Sequence, residues 1–295
     1  MDALRAALPA DWQLQLEPEP VFGAQMLVVR AGPRQAPPLL LVHGLGQNGF
    51  TDWLPVMPDL AKRWRVLAVD LPAFGYSSPS AARLSPTRYA QVLARLLARE
   101  GLGPLPVVGH SMGGAVALRL AADHPRRVSQ LVLADVAGIL HRTAFSKHTA
   151  TLPIAVENVP EAWKEPAARL RDLGGQLVER LFGLSFDPTE LLRSSDWLWS
   201  LVMRDRVSVN AAMALIDENF SPVVWQLEQP VRLIWGQVDR IAPLRTGELL
   251  AHRLPRARLD TLAGVGHEPM HQAPRSFAAL LERALTEPPP ALHAE

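Results

Sequence analysis

Leu105-Pro106-Val107-Val108-Gly109-His110-Ser111-Met112-Gly113-Gly114-Ala115-Val116-Ala117-Leu118 passes from a short apolar run to a helical run through one serine set between glycines. The string Gly109-x-Ser111-x-Gly113 has little force alone. Its context supplies it, because a buried strand runs directly into it and a helix follows at once, a sharp turn that displays a serine hydroxyl at the strand end. Glycines suit that turn, since only residues without a Cβ let neighbouring backbone pass so close. The competing reading makes Ser111 a helix N-cap and nothing more.

Outward from this stretch, apolar runs bounded by Gly, Pro or Asp recur at 25–30, 39–43, 65–70, 105–109 and 130–135. Each reads as a buried strand. Between them lie helical patterns, such as 86–100 with Tyr89, Val92, Leu93, Leu96 and Leu97 on one face, and 112–123. Alternation of strand and helix predicts an α/β fold with a mostly parallel sheet covered on both faces. The rhythm breaks after about residue 135, turns helical and rich in tryptophan from 141 to 225, and resumes with strands at 231–236 and 257–262. The expected organisation is a core in two parts, 1–138 and 227–286, with a helical cap inserted at 139–226. A proline-rich tail at 287–295 is expected to stay out of helix and to fray.

Composition narrows the function. The 295 residues are 48% hydrophobic and 20% charged, an ordinary globular balance, and 30 Lys and Arg stand against 29 Asp and Glu with no basic block to track a phosphate backbone. Nucleic acid is excluded as an expected partner. Cysteine is absent, which removes disulfides, thiolate metal sites and a Cys nucleophile. Neither a secretory leader nor an uninterrupted apolar span of about 18 residues is present, so a soluble, cytoplasmic protein without a membrane span is the expectation.

From about Gln25 to Leu285 the order of strands and motifs resembles the α/β-hydrolase fold family. The resemblance implies a doubly wound sheet, a catalytic triad in the chain order Ser, acid, His, and an oxyanion hole of two backbone amides. Met112, directly after the serine, would give the first amide. The His43-Gly44-Leu45-Gly46 loop, which is similar to the family's His-Gly loop, would give the second from Leu45, with His43 a structural residue that fixes the loop. Asp239, in Gln237-Val238-Asp239-Arg240-Ile241-Ala242-Pro243, resembles the family's acid. Asp135, also at a strand end, is its rival. His267, after Gly264-Val265-Gly266, stands where the family carries its base. The stretch Asp70-Leu71-Pro72-Ala73-Phe74-Gly75-Tyr76-Ser77 resembles another family motif, with Ala73 where glycine is commoner. That departure is tolerable only if the backbone there keeps a negative φ. Asp70 is read as structural.

One motif points elsewhere. His267-Glu268-Pro269-Met270-His271 spells the His-Glu-x-x-His of zinc proteases, which works only on a continuous helix. Pro269 and the glycines at 264 and 266 argue for a loop, so neither a metal nor any cofactor is expected. Within the inserted segment, Trp163, Trp197, Trp199, Trp225, Phe182, Phe186 and Phe220 are candidates to line an apolar pocket, with Trp197, Trp199 and Trp225 favoured, against the plain alternative that they are core. The leading function is hydrolysis of a small, moderately hydrophobic carboxylic ester through an acyl-enzyme. A carbon–carbon bond hydrolase of ring-cleavage diketones, and a ligand receptor that retains the triad, stand as alternatives. Oligomeric state is left open.

Overall fold

Near-continuous Val, Leu and Ile runs become strands that are buried on both faces. The computed structural model describes residues 1–46, 48–139, 195, 199, 206–290 and 292. Eight strands, β1 (Gln13–Glu19), β2 (Ala24–Ala31), β3 (Pro38–Val42), β4 (Arg65–Asp70), β5 (Leu105–His110), β6 (Val128–Ala134), β7 (Val231–Gly236) and β8 (Ala257–Leu262), form one sheet in the order β1-β2-β4-β3-β5-β6-β7-β8. Strands β3 to β8 run parallel, while β2 pairs antiparallel with both β1 and β4.

Alternate strand residues feed two cores, as a period of two requires. Val28, Leu40, Val107, Leu131 and Leu233 face one side, where they meet Tyr89, Leu93 and Leu97 of the helix Pro86–Arg99 and Val116 and Leu120 of the helix Met112–Asp123. Leu27, Leu39, Leu41, Val108, Val132 and Ile234 face the other, against Trp53, Met57 and the Phe277, Leu281 and Leu285 stripe of the helix Pro274–Thr286. The helix Pro86–Arg99 starts where its sequence dictates. Ser85 accepts the Arg88 amide at 3.1 Å, and Pro86 occupies the first turn, where a missing N–H costs nothing.

Register brings the functional loops together. Gly109 on β5 lies opposite Val42 on β3 and Leu133 on β6, and Ala134 on β6 lies opposite Ile234 on β7. Gly236 on β7 in turn lies opposite Leu262 on β8. The carboxyl ends of β3, β5, β6, β7 and β8 therefore form one continuous rim. Ligands bind along such rims in open α/β sheets.

Most of the expected cap at 139–226 lies outside the described residues. Its returning part is described, as the helices Val207–Asp217 and Ser221–Gln226. Buried Asn210 ties the first of these to the core: its Oδ1 accepts the Leu84 amide and the Trp199 indole N–H, each at 3.1 Å, and its Nδ2 donates to the Ala82 carbonyl at 3.0 Å. Residues 287–290 follow the last helix, and the carbonyls of Pro288 and Pro290 accept from Arg232 and Arg256.

Ala73 departs from the condition set for it. Its φ is +75°, so a residue with a Cβ occupies a left-handed position where glycine would be unstrained. Left-handed strain of about 1–2 kcal/mol exceeds the roughly 0.5–1 kcal/mol of extra unfolded-state freedom that glycine brings. Ala73→Gly should therefore raise stability by about 0.5–1 kcal/mol, seen as a higher urea midpoint at unchanged slope. A lower midpoint would show that the strain is not there.

Candidate active site

Ser111 sits at φ +53° and ψ −119°, between the end of β5 and the first turn of the helix Met112–Asp123. The turn is that tight because two glycines let it be. A Cβ on Gly109 would lie 2.4 Å from the Gly113 carbonyl oxygen, and one on Gly113 would lie 2.2 Å from that of Val42 and 2.4 Å from that of His43. The Ser111 amide is satisfied by the Ala134 carbonyl at 2.9 Å. Its side chain does not cap the helix. The reading of Ser111 as an N-cap thus fails, since its hydroxyl bonds instead to the Nε2 of His267 at 2.9 Å.

The loop after β3 is seated against the same turn. A Cβ on Gly44 would come within 3.1 Å of the Ser111 Cβ, so Gly44 and the Leu45 that follows are held beside the serine. His43 secures the loop: its Nε2 accepts the Leu71 amide at 2.9 Å, which leaves Nδ1–H to donate to the Gly44 carbonyl at 2.7 Å. Asp70, the residue before Leu71, accepts the amides of Phe50 and Tyr76 through its carboxylate, and burial raises its pKa from the usual range. Met112 opens its helix, so its N–H is among those that no helical carbonyl accepts.

Asp239 and His267 come from the loops after β7 and β8. The Asp239 Oδ1 accepts the amides of Ile241 at 2.7 Å and Ala242 at 3.0 Å, and its Oδ2 accepts Nδ1–H of His267 at 2.8 Å. A carboxylate cannot donate, so His267 carries its proton on Nδ1 and offers a lone pair on Nε2 to the Ser111 hydroxyl. Burial opposes ionisation of Asp239, but the hydrogen bond and charge of His267 with the two amides outweigh it and hold its pKa low. Of the two carboxylates in competition, Asp239 faces the imidazole. Asp135 stands behind it, with Oδ1 accepting the Gly236 amide at 2.8 Å.

His110 is a site residue that sequence reasoning passed over. Its Nε2–H donates to the His267 carbonyl at 2.7 Å, and the two rings lie 5.1 Å apart, so it braces the backbone of the histidine loop. Burial first, and the neighbouring His267 second, lower its pKa to about 3. The one available signal was its place inside the glycine-flanked turn, and that place does not specify a partner 157 residues away. The His-Glu-x-x-His string does not form a continuous helix. Pro269 begins a short helix, Pro269–Gln272, with Glu268 at its N-cap, and His267 lies outside it. The two imidazoles part: that of His267 turns to Ser111 and Asp239, while the His271 Nε2 lies 3.8 Å from Asp52.

Among the three tryptophans favoured for the pocket, Trp197 lies outside the described residues. Trp199 is buried in the Asn210 cluster, with the Arg83 guanidinium 4.6 Å from its ring centre. Trp225 is exposed, lining a surface groove of about 270 Å³ with Phe220, Val224, Leu250 and Arg253. The larger cleft that borders the loop after β3 has a volume of about 510 Å³, and Gly46, Ala73, Phe74, Gly75 and Arg206 line it.

Sheet order, elbow and rim define an α/β hydrolase. Residues 37–274 match the family described as alpha/beta hydrolase fold, and the chain belongs to that family. It is 30% identical over 254 residues to a pimeloyl-[acyl-carrier protein] methyl ester esterase of Nitrosomonas europaea, covering 83% of this chain and 94% of that one. It is 29% identical over 266 residues to a 2-hydroxymuconate semialdehyde hydrolase of Pseudomonas sp. strain CF600, covering 85% and 87%. Among solved structures, the esterase RhEst1 from Rhodococcus sp. ECU1013 shares the fold, with a TM-score of 0.69 at 24% identity over 93% of this chain and 98% of that one.

His110 ties stability to pH. Its folded pKa lies below the unfolded value near 6.5, so between about pH 6.5 and 3 the unfolded chain binds a proton that the folded chain refuses, and stability falls as pH falls. The limiting slope is about 1.4 kcal/mol per pH unit. His110→Gln keeps an N–H donor but removes the titration, so its unfolding free energy should fall less steeply from pH 6 to pH 4. Parallel curves for variant and wild type would refute the buried neutral imidazole.

Proposed function

We propose that the chain is a serine hydrolase that cleaves a small, moderately hydrophobic carboxylic ester through an acyl-enzyme. The observation that carries this reading is the continuous relay from the Ser111 hydroxyl to His267 Nε2 at 2.9 Å and from His267 Nδ1 to Asp239 at 2.8 Å. In the reaction, Ser111 Oγ attacks the ester carbonyl as its proton passes to His267. Asp239 holds the imidazole in the tautomer that can receive it and stabilises the cation that forms. The amides of Leu45 and Met112 receive the oxyanion, each worth about 3–4 kcal/mol where such donors are preorganised. His267 then protonates the leaving alcohol and activates the water that releases the acid.

The similarity to the methyl ester esterase supports an ester as substrate. The similarity to the 2-hydroxymuconate semialdehyde hydrolase favours a second reading, carbon–carbon cleavage of a diketone by the same serine and histidine.

A substrate panel of p-nitrophenyl esters, thioesters, lactones and ring-cleavage diketones separates these readings. Turnover of esters, lost by about 10⁴-fold or more in a folded Ser111→Ala variant, is the expected result. Diketone turnover without ester turnover would replace it with the second reading, and no turnover of either would favour a binding protein. The base makes a separate prediction, since it must be neutral to accept the serine proton. The kcat/KM for a non-ionising substrate should decline in acid as the imidazole protonates, ordinarily near pH 6.5. A flat profile from about pH 5 to 8 would remove His267 from that role.

A further inference from the structure

Asp135 combines three features that a purely structural aspartate has no need of. It follows β6 at φ +46°, in the left-handed region. Its side chain is fully buried, with Oδ1 accepting the Gly236 amide at 2.8 Å, while Oδ2 is buried and offered no N–H or O–H donor. The side chain beside it is another carboxyl group, that of Asp239. Two carboxylates cannot bond to each other without a proton between them.

The acceptor capacity of Asp239 says where that proton sits. Its two oxygens offer about four lone-pair sites, of which the amides of Ile241 and Ala242 and the Nδ1–H of His267 take three. One site is left for a donor, and Asp239 must stay ionised to face His267. We propose that Asp135 is a buried, neutral carboxylic acid whose Oδ2–H donates to the Asp239 carboxylate, making it a positioning residue that sets the basicity of the Asp239–His267 pair. The inference rests on the reading of Ser111, His267 and Asp239 as a triad. Burial, the largest contribution, and the adjacent Asp239 charge raise the pKa of Asp135 far above the ordinary carboxylate range, which agrees with this assignment.

The titratable groups around this proton are few. Asp239 approaches from the loop after β7 and His267 from beyond it on the loop after β8, while His110, at the end of β5, donates to the His267 carbonyl. A donor on Asp239 spreads its negative charge and weakens its hold on a protonated His267. Removing the donor should therefore raise the pKa of the histidine, whereas removing an ionised Asp135 would lower it.

The sign of that shift is the test. Asp135→Ala should move the acid limb of kcat/KM to higher pH and reduce the rate, and Asp135→Asn, whose amide N–H restores a donor, should return the limb towards its wild-type position. A limb that moves to lower pH in both variants would mean that Asp135 is an anion and would overturn the proposal. A second measurement does not depend on catalysis or on how well the variants fold. Infrared spectra of wild-type protein labelled with ¹³C at aspartate carboxyls should retain the carbonyl stretch of a protonated acid at pH 7.5, where unpaired aspartates are ionised. Absence of that band would overturn the proposal even if the triad reading stands. Its presence in a protein without an acid limb would leave the proton in place and remove the triad.

Discussion

Close backbone contact at the ends of β3 and β5 is the constraint on which the rest of the site depends. The Gly113 Cα presses on the carbonyls of Val42 and His43, and the Gly44 Cα presses on His110 and Ser111. A single added methyl at either place would meet backbone or packed side chain closer than atoms tolerate. Because both contacts are made, the serine, the first turn of its helix and the loop after β3 move as one body. Ser111 keeps its left-handed conformation for the same reason: strain of that kind persists only where the surroundings over-determine it.

Electrostatics build on that frame in layers. His267 is held at both ring nitrogens and at its carbonyl, by Ser111, Asp239 and His110, so its position does not depend on substrate. Asp239 is held by two amides of its own loop. Behind these groups, His110 sits in surroundings that disfavour its charged form, while those of Asp239 favour its anion. Farther out, Asp70 anchors two loops through the amides of Phe50 and Tyr76, and beside it the Leu71 amide fixes the tautomer of His43.

Much of this was legible in the sequence, for definable reasons. Strands β3 to β7 carry near-continuous apolar runs and were readable at once, and the turn around Ser111 announced itself by its glycines. Strand β1 was not, because Gln13–Glu19 alternates polar and apolar residues and ends near Pro18, a pattern that an antiparallel edge tolerates and a central strand does not. The positive φ of Ala73 was not readable, because sequence carries no φ. Between Asp135 and Asp239 the sequence favoured Asp239 through the resemblance of its loop alone, since both follow strands, and the distance to an imidazole is what separates them. His110 was invisible because its partner is a backbone carbonyl, which any residue supplies.

We propose that Ser111 is a nucleophile made reactive by its turn and by His267. Treating the folded protein with a fluorophosphonate and mapping the adduct by peptide mass spectrometry tests it most directly. One covalent adduct per chain on Ser111, formed far more slowly in His267→Ala, is the result expected of the relay. An unlabelled Ser111, or labelling that proceeds equally fast without His267, would contradict it.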